Sequence, residues 1–342
     1  MRQVSMFDSA PVNHALMDFV EREAERMWPG ETHRKRSIAQ VMSFARFRDN
    51  QSRPLSQFLP SDIDIKILSE PPNSKDIKNN TLTVINQKFG DNRTVGEPNP
   101  RHAEAIIKVV ERAVQFAKSG KCSAICTMPI SKSILKDGAN FRFPGHTEYL
   151  AHLDESRNFA MMLVNKYLKV VPATIHVPIK DITKYLNAEK IEKIIKTTHR
   201  ELVNRFSITN PHIWISGLNP HAGENGTIGD EEKEYISPVT KKLQSEGYNL
   251  LGPISADTMF YEKKRRKFDA AICMYHDQAL IPIKTLDFHT SVNLTIGLSF
   301  IRTSPDHGTA FDIAGKNLAN PTSAIEAIKL AWNLAKKEQR DK

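Results

Sequence analysis

The chain has 342 residues, with 48 Lys and Arg against 39 Asp and Glu, a net charge of +9, 40% hydrophobic residues and three cysteines. That length calls for one large or two ordinary domains with a sizeable core, and the balance is that of a folded chain rather than a disordered one. No apolar run reaches the roughly 18 residues of a membrane span, no signal-type stretch opens the chain, and Cys122, Cys126 and Cys273 imply no disulfide framework, so a reducing cytoplasm is the expected setting.

In chain order, residues 16–28 read as a helix broken by Pro29-Gly30, with no clear strand before it, and residues 33–54 are basic and polar. A weak strand-like rhythm resumes near residues 60–67. Asn99-Pro100 opens a helix in which Ile106, Ile107, Val110, Ala113, Val114 and Ala117 recur at helical spacing, and Gly120 is its natural stop. Residues 123–127, 159–164 and 170–175 are apolar strand candidates. Asn187 caps a second helix with Ile191, Ile194, Ile195, Leu202 and Phe206 on one face. Strands follow at 212–216, 268–275 and 292–296, the acidic residues 230–234 open a helix that Gly247 ends, and 324–335 form a closing helix. Strands separated by helices of this length imply an α/β protein with a parallel or mixed sheet.

The surplus positive charge suits nucleic acid, an anionic membrane surface or a phosphorylated small molecule, or simply keeps the protein in solution. The densest basic run, Lys263-Lys264-Arg265-Arg266-Lys267, has no interleaved aromatics for stacking bases and reads as a solvated turn. Three histidines carry more information: His176, His221 and His276 each follow an apolar strand candidate. Ligands of open α/β sheets bind beyond the carboxyl ends of strands, so three imidazoles there can converge on one divalent metal. Each can equally bond a neighbouring backbone group, and the pattern alone leaves both readings open. Neither a G-x-G-x-x-G nor a P-loop motif is present, and the glycines at 223, 226 and 229 fit loop geometry or a phosphate contact. Gly145-His146-Thr147-Glu148 starts a helix, where anions are favoured. Lys284, Asn293 and Arg302, expected at strand edges or in loops, are further candidates for anion contact. Arg302, flanked by apolar residues, needs a fixed partner, either a ligand or a structural carboxylate. Asp257 is either a helix N-cap or an acid that orients a substrate amine.

Five segments together resemble the 4-hydroxythreonine-4-phosphate dehydrogenase family of vitamin B6 biosynthesis: Gly145-His-Thr-Glu148, Gly217-Leu-Asn-Pro-His-Ala-Gly-Glu224, Gly252-Pro-Ile-Ser-Ala-Asp-Thr258, Met274-Tyr-His-Asp-Gln278 and Phe300-Ile-Arg-Thr-Ser-Pro-Asp-His-Gly-Thr-Ala310. The resemblance covers roughly residues 90–335. It implies the two-domain fold of isocitrate and isopropylmalate dehydrogenases, an α/β fold with parallel and mixed sheets that lacks the usual dinucleotide fingerprint. The outer domain would comprise residues 1–127 plus about 300–342, and the inner domain, 128–299, would carry the metal ligands and the dimer interface.

Position by position, the resemblance puts the metal ligands on His176, His221 and His276, in a site shared across a homodimer. Substrate contacts fall on His146, Thr147, Lys284, Asn293 and Arg302, and the candidate catalytic groups are Lys284 and Asp257. The implied partners are NAD or NADP, one divalent ion (zinc, magnesium or cobalt) and a phosphorylated amino acid, with no role for nucleic acid or membrane. The implied reaction oxidises the C3 hydroxyl of 4-phosphooxy-L-threonine, and the resulting β-keto acid loses CO2. The family's usual opening, a strand followed by a Gly-Asp-Pro-Ala-Gly-Ile-Gly-Pro-Glu-type segment, has no match in residues 1–60, so a first strand is expected to be missing. The competing readings are a relative acting on another phosphorylated four-carbon hydroxy acid, an inactive relative, and a nucleic-acid-binding or regulatory protein using residues 1–60 as its contact, through Arg34 to Arg36 and the later arginines.

Overall fold

The structure, a computed structural model, describes residues 3–7, 64–72, 81–85, 87, 89, 94–316 and 318–340. The expected helix at 16–28 and the basic stretch at 33–54 lie outside the described residues. Among those described, the strands are β1 (Gln3–Phe7), β2 (Asp64–Leu68), β3 (Thr81–Ile85), β4 (Cys122–Thr127), β5 (Ala160–Val164), β6 (Lys169–Pro172), β7 (Ile213–Ser216), β8 (Leu250–Ile254), β9 (Ala270–Cys273), β10 (Val292–Ile296) and β11 (Ile301–Pro305). The longer helices are α1 (Ala103–Lys118), α2 (Lys132–Ala139), α3 (His146–Asp154), α4 (Ala188–Asn204), α5 (Ser237–Ser245), α6 (His276–Leu286) and α7 (Thr322–Arg340). No helix among the described residues is long and apolar enough to cross a membrane.

The chain divides into two units: Met1–Glu155 with Ser299–Ala335, and Ser156–Leu298 with Lys336–Lys342. The first crossing therefore comes after α3 and not at residue 127, which leaves His146 and Thr147 in the same unit as Arg302.

In the first unit β1, β4 and β11 run parallel, with β4 in the centre, and β2 pairs parallel with β3 separately. The expectation of a missing first strand is corrected here. Gln3–Phe7 pairs along β4, with Met6 opposite Cys126. A five-residue run that mixes Gln3 and Ser5 with apolar residues is too short to stand out in sequence, and the ladder bonds of β4 stabilise it. Helix α1 begins where Asn99 accepts from the Arg101 N–H through a short 3₁₀ turn, and it buries Val109, Val110, Ala113, Val114 and Ala117. Ile106 and Ile107 lie at the half-exposed margin of that face.

The second unit has a mixed sheet. β10 and β5 are antiparallel, as are β5 and β6, whereas β6, β9, β7 and β8 are parallel neighbours in that order. Strands β7 and β9 are buried throughout, as expected for parallel strands covered on both faces. One face packs Leu163, Val170, Trp214, Ala271 and Cys273 against Ala279, Leu280 and Ile283 of α6. Helix α4 is capped by Asn187, which accepts from the Lys190 N–H at 2.8 Å, and buries Ile191, Ile194, Ile195 and Leu202. The basic run at 263–267 forms one exposed helical turn, with Arg266 paired to Glu262.

Candidate active site

The candidate residues fall into two sets, one in each unit. In the first unit the centre is Arg302, inside β11 rather than at a strand edge and only 3% exposed. Its Nε and an Nη donate to Thr127 Oγ1 at the end of the neighbouring strand β4, at 3.1 and 2.8 Å. Burial lowers the guanidinium to about 10, partly offset by Cys126 and Glu148, so it stays cationic at neutral pH. His146 is the first residue of α3, behind an extended Gly145 N-cap. Its Nε2 is buried and has no hydrogen-bond partner among the described residues. Burial, reinforced by the Arg302 charge, holds this imidazole well below the usual histidine range, so the ring is neutral. Thr147 is half-buried at the next position. A cation, a neutral imidazole and a helix N-terminus thus meet at a buried point suited to phosphate or carboxylate.

In the second unit, the four adjacent parallel strands deliver His176, His276, His221 and Asp257, in that order, just beyond their carboxyl ends. Side-chain hydrogen bonds tie these ends together. Thr174 Oγ1 donates to Met274 O at 2.8 Å, joining the chain before His176 to the chain before His276. Gln278 Oε1 accepts from Ser216 Oγ and Met274 N, each at 2.7 Å, and its Nε2 donates to Gly217 O at 2.7 Å. The rings of His176 and His276 stand 6.1 Å apart between centroids. Both His176 and His221 have left-handed backbones, at φ +55° and +54°, a conformation that costs energy for a residue with a Cβ and recurs at functional sites.

Within one chain the three imidazoles do not form a single metal-holding group: no three His, Cys, Asp or Glu side chains do so among the described residues. The donor set nonetheless suits a divalent ion. His276 Nδ1 pairs with Asp277 Oδ1 at 2.6 Å, the outer-sphere contact that fixes an imidazole with its other nitrogen outward. Asp257 is exposed and held below the usual carboxylate range, first by the Ser255 hydroxyl and also by the His221 charge. Lys284 lies toward the far end of α6, with Nζ 5.3 Å from the centre of the Phe288 ring. Asn293 is in β10, and its Oδ1 is buried without a hydrogen-bond partner among the described residues. Sequence reasoning missed Thr127, Gln278 and Glu232. The first and third belong to segments that read as an ordinary strand and an ordinary helix start, and Gln278 was visible only as part of the Met274–Gln278 motif.

A sequence model of the family described as "Pyridoxal phosphate biosynthetic protein PdxA" matches residues 39–331 and so reaches well ahead of residue 90, where the motif resemblance begins. A protein of Ruegeria sp. (strain TM1040) named 4-hydroxythreonine-4-phosphate dehydrogenase is 49% identical over 281 residues, 82% of this chain and 86% of that one. The crystal structure of the protein of that name from Klebsiella pneumoniae aligns with a TM-score of 0.80 at 30% identity, covering 98% of this chain and 100% of the other. The corresponding Burkholderia phymatum structure aligns at 0.76 and 32% identity, covering 98% of each chain.

Proposed function

The chain belongs to the PdxA family of pyridoxal phosphate biosynthetic proteins, and from that premise we propose that it oxidises 4-hydroxythreonine 4-phosphate at C3, with NAD or NADP as hydride acceptor. The β-keto acid so formed loses CO2. The observation that best supports this reading is the buried pair of Arg302, in β11, and His146, at the start of α3, where a cation acts on an imidazole whose Nε2 has no hydrogen-bond partner among the described residues. Such a pair suits an anionic substrate group, Arg302 through a forked charge-assisted contact and His146 through a single hydrogen bond. Thr147 adds a hydroxyl, and Lys284 and Asn293 are the contacts assigned to the second unit. Asp257, held ionised by the Ser255 hydroxyl, is the candidate for orienting the substrate amine, and Lys284 is the candidate acid or base.

A divalent ion (zinc, magnesium or cobalt) held by His176, His221 and His276 would lower the proton affinity of the C3 hydroxyl and stabilise charge on that oxygen. The resemblance to the family assigns this centre to a homodimer, in which a second copy of the chain completes it.

The test is NAD or NADP reduction by the purified protein with 4-hydroxythreonine 4-phosphate, before and after chelation. Turnover should disappear with chelator and return with zinc, magnesium or cobalt. Turnover indifferent to chelation would overturn the metal assignment, and turnover only of another phosphorylated hydroxy acid would overturn the substrate.

A further inference from the structure

We infer that Glu232 is a positioning residue for His221, an inference that rests on reading His221 as a metal ligand. Glu232 is the first residue of a π-helical turn, Glu232–Ile236, and is 4% exposed. Its Oε1 accepts from the backbone N–H groups of Leu218 and Asn219 at 2.7 and 2.8 Å, and its Oε2 accepts from Asn219 Nδ2 at 2.9 Å. Among the described residues no Lys or Arg pairs with it, so three N–H dipoles alone hold a buried carboxylate.

The same carboxylate reaches the other end of the His221 segment. A Cβ on Gly217 would lie 3.0 Å from Oε1, and one on Gly223 would lie 2.5 Å from Oε2. Gly223, at φ +75°, leaves no room for a Cβ beside Glu232, and at Gly217 a Cβ would first meet Ala222, at 2.7 Å from its Cα. A left-handed stretch runs through Gly223: His221, Ala222, Glu224 and Asn225 have φ of 54°, 51°, 41° and 58°. Side chains with a Cβ are strained there, and such a run persists only where its surroundings over-determine it. Glu232 supplies that constraint by hydrogen bonds at Leu218 and Asn219, before His221, and its carboxylate lies close against Gly223 after it. π-Helical turns are rare and concentrate at functional sites, consistent with one being used to bring this carboxylate under the loop.

Glu232→Gln is the sharpest lesion, because it keeps the size and turns one acceptor into a donor that faces donors. The full-length protein, freed of metal, is titrated with cobalt(II) while ligand-field absorption is followed, alongside thermal unfolding of the metal-free form. The variant should bind cobalt about 10-fold or more weakly, toward the scale seen when support for a metal-ligating imidazole is lost, and its metal-free form should melt lower because buried N–H groups lose part of their acceptor. Binding as tight as in the parent protein would overturn the inference. Should Glu232→Gln fail to fold, Asn219→Ala, which removes the Nδ2 donor shared by Glu232 and Glu231 and keeps both backbone donors to Glu232, decides the matter: weakened cobalt binding supports the role and unchanged binding overturns it. His221→Ala separates the premise: if it binds cobalt as the parent does, the ligand reading falls, and this inference with it.

Discussion

Burial acts differently on the two titratable side chains that meet at the start of α3. It strips the proton from His146, whereas Arg302, lowered only to about 10, keeps its charge. Two cations at that distance would repel, so the neutral ring is what allows both groups to face one anion. The stability consequence has a definite sign. In the unfolded chain His146 takes up a proton below about pH 6.5, while the folded ring does not until much lower, so native stability falls as pH drops through that window. Melting temperature should therefore decline more steeply between about pH 7 and pH 5 in the parent than in His146→Gln. Parallel declines would show that the ring titrates normally. Part of this was legible: an arginine between apolar residues demanded a partner, and Gly145-His146-Thr147-Glu148 marked an anion-favouring helix start. The partner itself was not, since Thr127 lies 175 positions away and only strand pairing brings it beside Arg302.

At the scale of elements, the parallel set β6-β9-β7-β8 turns four separate sequence positions into neighbours along one edge. The strand-then-histidine pattern was readable because fully buried parallel strands are continuous apolar runs. Strand β8 was not, because Gly252-Pro253 interrupts it, and β11 was hidden by the charge of Arg302. The acidic residues 230–234 read as an ordinary helix start, so the π-turn that aims Glu232 inward left no mark in the residue pattern. Gln278 uses both the oxygen and the nitrogen of its amide in joining the ends of β7 and β9. Gln278→Leu would leave the Met274 N–H and the Gly217 carbonyl without that partner, at about 1–3 kcal/mol for each group left unsatisfied. Urea denaturation should register a loss of that order, together with weaker metal retention. A variant as stable as the parent would show that the strand ends hold their spacing unaided.

At the scale of the molecule, the chain passes between its two units after Glu155 and after Leu298, and each unit secures its own side of those crossings. In the first, Asp154 accepts from Ser299 N at 2.8 Å. In the second, Ser156 Oγ donates to Gly297 O at 3.2 Å, and Glu201 accepts from Gly297 N at 3.2 Å. Arg205 donates to Leu298 O at 2.7 Å and pairs with Glu201 and Glu338 at 2.9 and 3.0 Å. Glu201 and Arg205 are each only 6% exposed, and burial pushes the Glu201 carboxyl up while Arg205 pulls it down. Removing the cation leaves that carboxylate buried and unmatched. Arg205→Ala should therefore lose about 3–5 kcal/mol of stability, and adding Glu201→Leu should restore part of it. A loss within 1 kcal/mol, as for ~0–1 kcal/mol surface pairs, would count against the network. None of this followed from sequence, because i,i+4 Glu–Arg spacing on a helix normally marks a solvated face.

The three cysteines have a practical consequence. All are free and buried, with burial pushing Cys122 and Cys126 up to about 12 and raising Cys273 as well. They are the chain's full complement, so the folded protein offers thiol-directed dyes almost nothing to attack. A cysteine placed at Glu104 in the first unit and another at Glu189 in the second, both 75% exposed, would be the preferred labelling sites. The native chain is thus ready for a two-colour fluorescence ruler between its halves without first having its own cysteines removed.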